Sequence, residues 1–82
     1  MKARLNRQKH GVSFEEAVTS FSDPLAIVVD DGVHPERAVL IGISWKARVL
    51  LTVFIEVSEE EIRLVSARLA TRTERRRYEE GE

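Results

Sequence analysis

Four runs rich in Val, Ile and Leu, each about as long as a strand and separated by polar connections, constrain this 82-residue chain more than any other feature. They lie at residues 25–29, 38–44, 48–56 and 61–68. The breaks at Asp30-Asp31-Gly32, around Trp45-Lys46 and at Ser58-Glu59-Glu60 are hairpin-sized. Parallel pairing would need a crossover of roughly a dozen residues or more, so the expected sheet is an antiparallel meander. Strict alternation in the last run puts Arg63, Val65 and Ala67 on one face. Ile62, Leu64, Ser66 and Arg68 fall on the other. Both faces carry apolar side chains, so one should be covered and the second partly covered.

Helix signals flank these runs. Residues 2–9 read as a short polar helix stopped by Gly11, with only Ala3 and Leu5 on an apolar side. Ser13-Phe14-Glu15-Glu16 has the capping-box spacing, in which Ser13 accepts from the Glu16 N–H and Glu16 reaches back. Phe14, Ala17, Val18 and Phe21 then recur at helical spacing as a core stripe, and Asp23-Pro24 ends the helix. Thr71-Arg72-Thr73-Glu74 is a second capping box, opening a helix over about 72–80 with Gly81 as its stop. The expected fold is α+β: two N-terminal helices, about four antiparallel strands and a C-terminal helix in one domain spanning 1–82.

Charge is segregated along the chain. The net charge of −1 argues against a simple nucleic-acid-binding domain. Residues 1–10 nevertheless carry Lys2, Arg4, Arg7 and Lys9 without an acid, and residues 13–36 carry acids without lysine or arginine. Between 62 and 78 stand Arg63, Arg68, Arg72, Arg75, Arg76 and Arg77 against Glu74 alone. Such blocks create local potentials that the total conceals. Arginine without lysine suits planar, bidentate recognition of phosphate, although a charge run is most often a solvated face. With no cysteine and only His10 and His34, there is neither a disulfide framework nor a metal-ligand spacing motif. No signal peptide or membrane span is apparent, so a cytoplasmic protein is expected.

Two stretches resemble the BrnT family: K-H-G-V-S-F-E-E-A-V at 9–18 with F-S-D-P-L-A at 21–26, and I-R-L-V-S-A-R-L-A-T-R-T-E-R-R-R-Y-E-E at 62–80. His34, Glu36-Arg37 and Ile41-Gly42 add sparser matches between them. The resemblance implies a RelE-like fold and a type II toxin that cleaves RNA without metal or other cofactor. It also implies a BrnA-like ribbon-helix-helix antitoxin, with operator DNA contacted only through that partner. Members of the family begin with a strand carrying a W-D-P-x-K-like segment, whereas this sequence starts at Met1-Lys2-Ala3-Arg4. That difference implies one strand fewer and an open sheet edge. It also keeps a second reading in play, a non-cleaving homologue that serves as an antitoxin-binding module.

Metal-free cleavage needs a base for the ribose 2′-hydroxyl, cations for the phosphorane and an acid for the leaving oxygen. Arg68, at a strand end before a capped helix and within the family-like S-A-R, is the first catalytic candidate; the competing reading is a structural pair with a nearby carboxylate. Arg37 and His34 follow, the latter because a loop imidazole can carry protons near neutrality. Arg63, Arg72, Arg75, Arg76, Tyr78 and Lys9 are the candidate RNA contacts. His10 reads more readily as a helix-end residue, Glu74 as a capping residue and Tyr78 as a side chain packed on the sheet.

Overall fold

A computed structural model describes residues 5–7 and 10–81. Its sheet is a four-stranded antiparallel meander in the order β1-β2-β3-β4: Ile27–Asp30, Ala38–Ile43, Val49–Ser58 and Glu61–Leu69. The β-branched runs pair as their short connections require. Ahead of the sheet lie helix α1 (Phe14–Thr19) and a 3-10 turn, Ser20–Ser22; after it comes helix α2 (Arg72–Glu80). Leu5–Arg7 and His10 are helical and end at Gly11, whose N–H returns to the Arg7 carbonyl at φ +69°. The rest of the helix expected over 2–9, including Ala3 and Lys9, lies outside the described residues.

The strands alternate between two apolar clusters. Leu50 and Ala67 face α1 and pack with Val12, Ala17, Phe14 and Leu64. Val39, Ile41 and Leu51 face the other way, with Ile27, Val29, Val49, Val53 and Tyr78 against them. Phe21 meets Phe54 edge to face at 5.1 Å between centroids. Gly42 lets the 3-10 turn lie against β2: a Cβ there would come within 2.9 Å of Ala26 Cβ and 3.0 Å of the Ser20 carbonyl oxygen.

Strict alternation fails in β4. Val53 pairs with Ser66 but Phe54 with Leu64, so Val65 is an extra, bulged residue. The bulge moves Leu64 onto the α1 face with Ala67. By register it moves Arg63, opposite Ile55, onto the face of Ser66 and Arg68. The expected grouping of Arg63 with Ala67, and of Leu64 with Arg68, is therefore corrected. Val18 is corrected as well, since it is exposed rather than part of the core stripe.

Three polar ties hold the helices to the sheet. First, Asn6 is buried, and its amide bridges to the edge strand β4: Nδ2 donates to the Ala67 and Val12 carbonyls at 2.8 Å, and Oδ1 accepts from the Ala67 N–H at 2.9 Å. Second, Ser13 caps α1 as expected, accepting from the Glu16 N–H at 3.0 Å. The returning half of that box does not form. The buried Glu16 carboxylate instead takes the Arg48 Nε–H at 2.9 Å and the Ser44 hydroxyl at 2.7 Å, with Arg48 Nη2 on its other oxygen. A charged partner in the interior is worth more than an exposed backbone N–H. Third, the Tyr78 hydroxyl donates to Asp23 Oδ2 at 2.5 Å, tying α2 to the loop after the 3-10 turn.

Arg48→Ala strands a buried carboxylate and should cost about 3 kcal/mol, the lower end for breaking a buried pair because Arg48 itself is partly exposed. Chemical denaturation checks this. Arg48 holds the Glu16 carboxyl below its ordinary range, against the effect of burial. Its stabilisation is therefore present above the unfolded value and lost as pH falls through the lower folded value. The difference between parent and Arg48→Ala should shrink with acidification. Asn6→Ala leaves the Ala67 backbone groups without their protein partner and should cost about 1–3 kcal/mol in the same assay.

Candidate functional site

The β4–α2 junction is built by a second, complete capping box. Thr71 Oγ1 accepts from the Glu74 N–H at 3.2 Å, and Glu74 Oε1 accepts from the Thr71 N–H at 2.9 Å. Gly81 closes α2 in the left-handed conformation at φ +77°. None of the helix is buried, and it lies on the sheet through Tyr78 and Glu74.

Arg68, the penultimate residue of β4, extends toward this helix. Its Nη1 donates to Glu74 Oε1 at 2.8 Å and to the Leu69 carbonyl at 3.1 Å, and its Nη2 donates to Glu74 Oε2 at 3.0 Å. Arg68 holds the Glu74 carboxyl below its usual range, although burial opposes the shift. The arginine in turn is raised above its own ordinary value. The capping role expected for Glu74 is present, and the carboxylate pairing weighed for Arg68 is present beside it.

A cavity of about 390 Å³ opens between this junction and the sheet. Val39, Ile41, Leu51 and Val53 give it an apolar floor. Arg68, Glu74, Arg77 and His10 line it on the helical side, and Asp30 and Asp31 also border it. His10 comes from the segment that Asn6 anchors to Ala67, the neighbour of Arg68. His10 lies at a helix end, as its place before Gly11 implies, whereas nothing in the sequence marks Arg68 as its neighbour. Nothing in a run of three arginines distinguishes Arg77 as the one that lines this cavity.

His34 and Arg37 line a different cavity, of about 400 Å³, in the β1–β2 connection. Asp30 and Asp31 border both cavities. His34 is exposed, with Nδ1 3.9 Å from Glu36 Oε1. The three catalytic candidates are thus divided: Arg68 in one cavity, His34 and Arg37 in its neighbour. Arg63 shares the Arg68 face by register but is exposed toward the hairpin end. Arg72 and Arg76 are exposed on α2, and Arg75 lines a groove with Arg48, Leu69 and Ala70. Lys9 lies outside the described residues.

Tyr78 is committed as a brace. Its ring packs on Val39, Ile41 and Leu51, and burial together with Asp23 pushes its hydroxyl up to about 12. Burial pushes Asp23 up, but donation from the Ile43 N–H, the Tyr78 hydroxyl and the Leu25 N–H outweighs it and holds the carboxyl low. Among the described residues no three His, Asp or Glu side chains converge to hold a metal ion, and no helix is long and apolar enough to cross a membrane.

No curated protein matches the chain. A family model described as ribonuclease toxin, BrnT, of type II toxin–antitoxin system matches residues 1–74, a span that contains Asn6, His10, Arg68 and Glu74. The chain belongs to this family of ribonuclease toxins, whose type II systems pair a toxin acting on RNA with a protein antitoxin.

Proposed function

We propose that the chain is a metal-independent endoribonuclease of RelE-like fold that cuts RNA in the cavity beside Arg68. The observation that carries this reading is the meeting of Arg68, Arg77 and His10 around an apolar floor. A nucleoside can lie on the floor while its phosphate meets the arginines. The ribose 2′-oxygen gives up its proton and attacks the adjacent phosphorus, the bond to the 5′-oxygen breaks, and that oxygen takes a proton. His10 is the side chain here suited to carry such a proton. Arg68 meets the charge that grows on the phosphorane. Arg77 and the exposed arginines of α2 follow the RNA backbone, and Arg37 and His34 serve a flanking nucleotide in the neighbouring cavity.

The antitoxin in this reading is a BrnA-like ribbon-helix-helix protein. An acidic segment of it covers Arg68 and the arginines that follow, and operator DNA is bound through the antitoxin alone. The protein acts in the cytoplasm, where its RNA is. The second reading, a non-cleaving module that only binds antitoxin, draws support from one observation: Glu74 already occupies one edge of the Arg68 guanidinium.

The deciding experiment is RNA cleavage by the purified chain, free of antitoxin, with and without EDTA. The expected products carry a 2′,3′-cyclic phosphate and form at an unchanged rate in EDTA. Failure to cut at any concentration favours the binding module, and loss of cutting that a divalent ion restores defeats the metal-free mechanism.

Arg68→Ala should reduce kcat on the order of 10²–10³-fold while folding and antitoxin binding stay mostly intact. Arg68→Lys should rescue poorly, because an ammonium keeps the charge and loses the planar fork. Single-turnover rates and circular dichroism check both variants. Arg77→Ala should weaken RNA binding about uniformly across sequences and lower its salt slope by about one; binding titrations at several salt concentrations check it.

A further inference from the structure

The hydrogen bonds of Arg68 leave a particular part of it uncommitted. A guanidinium has five N–H donors. Nη1 spends both of its donors, on the Leu69 carbonyl and Glu74 Oε1, and Nη2 spends one on Glu74 Oε2. The remaining two, the Nε–H and the second Nη2–H, lie along one edge and point the same way. Among the described residues neither makes a hydrogen bond. Glu74 therefore takes the end of the guanidinium and leaves a whole bidentate edge intact, the geometry that recognises two oxygens of a phosphate. Arg68 lines the cavity.

Glu74 is itself held. Its Oε1 accepts from the Thr71 backbone N–H as well as from Arg68, and its backbone N–H is bonded to the Thr71 hydroxyl. The start of α2 thereby fixes the plane of a side chain carried by β4. An arginine on a flexible stem loses much rotamer freedom when it grips a ligand. Here that loss is incurred on folding.

We propose that Glu74 is a positioning residue for RNA cleavage: it clamps the end of Arg68 so that the Nε/Nη2 edge is presented, already oriented, to a phosphodiester in the cavity. This rests on the reading of the cavity as the RNA site. The rival role for the same contact is competition, with Glu74 as a stand-in anion that substrate must displace. The two make opposite predictions.

The discriminating variant is Glu74→Gln in the full chain. Glutamine is accepted at this position of a capping box, so the helix start is kept. It offers one acceptor where the carboxylate offered two, so the clamp on Arg68 is lost. The expected result is a fall in kcat approaching ~10²-fold, the scale for misplacing a catalytic group by about an ångström, with a much smaller change in KM. Thr71→Ala, which removes the side-chain half of the cap and leaves the carboxylate, should lower melting temperature and reduce kcat far less.

A binding readout stands apart from catalysis. In the parent, titration with inorganic phosphate should shift the Arg68 Nε–H NMR signal while the Glu74 carboxylate carbon signal stays in place. In Glu74→Gln the Arg68 shift should need several times more phosphate. The proposal is overturned if Glu74→Gln cuts as fast as or faster than the parent, binds phosphate more tightly, or if phosphate displaces Glu74 in the parent. If the parent does not cut RNA at all, the proposed activity fails, and the phosphate titration alone decides the role of Glu74.

Discussion

The amide of Asn6 against the backbone of Ala67 is the contact on which the arrangement of the site depends. β4 is an edge strand, and an edge exposes N–H and C=O groups that invite another chain. Asn6 supplies both a donor and an acceptor to one residue of that edge, as a neighbouring peptide would. A side chain thus performs at one position what a fifth strand would do along the whole edge. Because Ala67 precedes Arg68, the same contact brings the segment ending in His10 to the rim of the cavity. Glu16 does the corresponding work on the opposite face, joining α1 to Ser44 and Arg48 at the two sides of the β2–β3 turn.

The strands were legible because β-branched runs and short connections act locally, and local rules survive the absence of a partner. The Thr71 box was legible for the same reason. The Ser13 box was only half legible: its backbone half is local, while the carboxylate half was captured by Arg48, thirty-two residues away. The bulge at Val65 leaves no mark in composition, yet it reverses the face of every residue before it in β4. Asn6 was hidden because a polar residue in a polar helix gives no reason to expect burial. Val18 has helical spacing, but α1 is a short helix and the sheet reaches only one side of it.

The placement of the candidate residues was partly legible for parallel reasons. Arg68 stands at a strand end before a capped helix, a local pattern, and its side chain does lie beside that helix and line the cavity. The expectation for His34 and Arg37 rests on loops often carrying chemistry, and the β1–β2 connection places them in a neighbouring cavity. His10 joins Arg68 only through a contact between residues sixty-one apart, Asn6 and Ala67. The arginine block was a true signal of charge but a poor guide to position. A nine-residue helix turns its side chains in all directions, so Arg77 faces the cavity while Arg75 lines a groove beside Arg48.

The cavity lies between α2 and this sheet face, and its shape follows from how α2 is attached. A helix with no buried residue cannot be held by apolar area. It is held at one end by Glu74 on Arg68 and further along by Tyr78 on Asp23. Both attachments use carboxylates held below their ordinary range, Glu74 chiefly by Arg68, and Asp23 by its hydrogen bonds against the opposing effect of burial. Their contribution is therefore complete above the unfolded carboxylate values and is lost as pH falls through the lower folded ones. The apolar clusters on the sheet have no such dependence. Acid should accordingly loosen α2 before the sheet, and with it the orientation of Arg68. The Arg68 side chain is thus anchored by polar contacts to a helix with no buried residue, which makes its orientation more sensitive to its surroundings than the sheet that supports it.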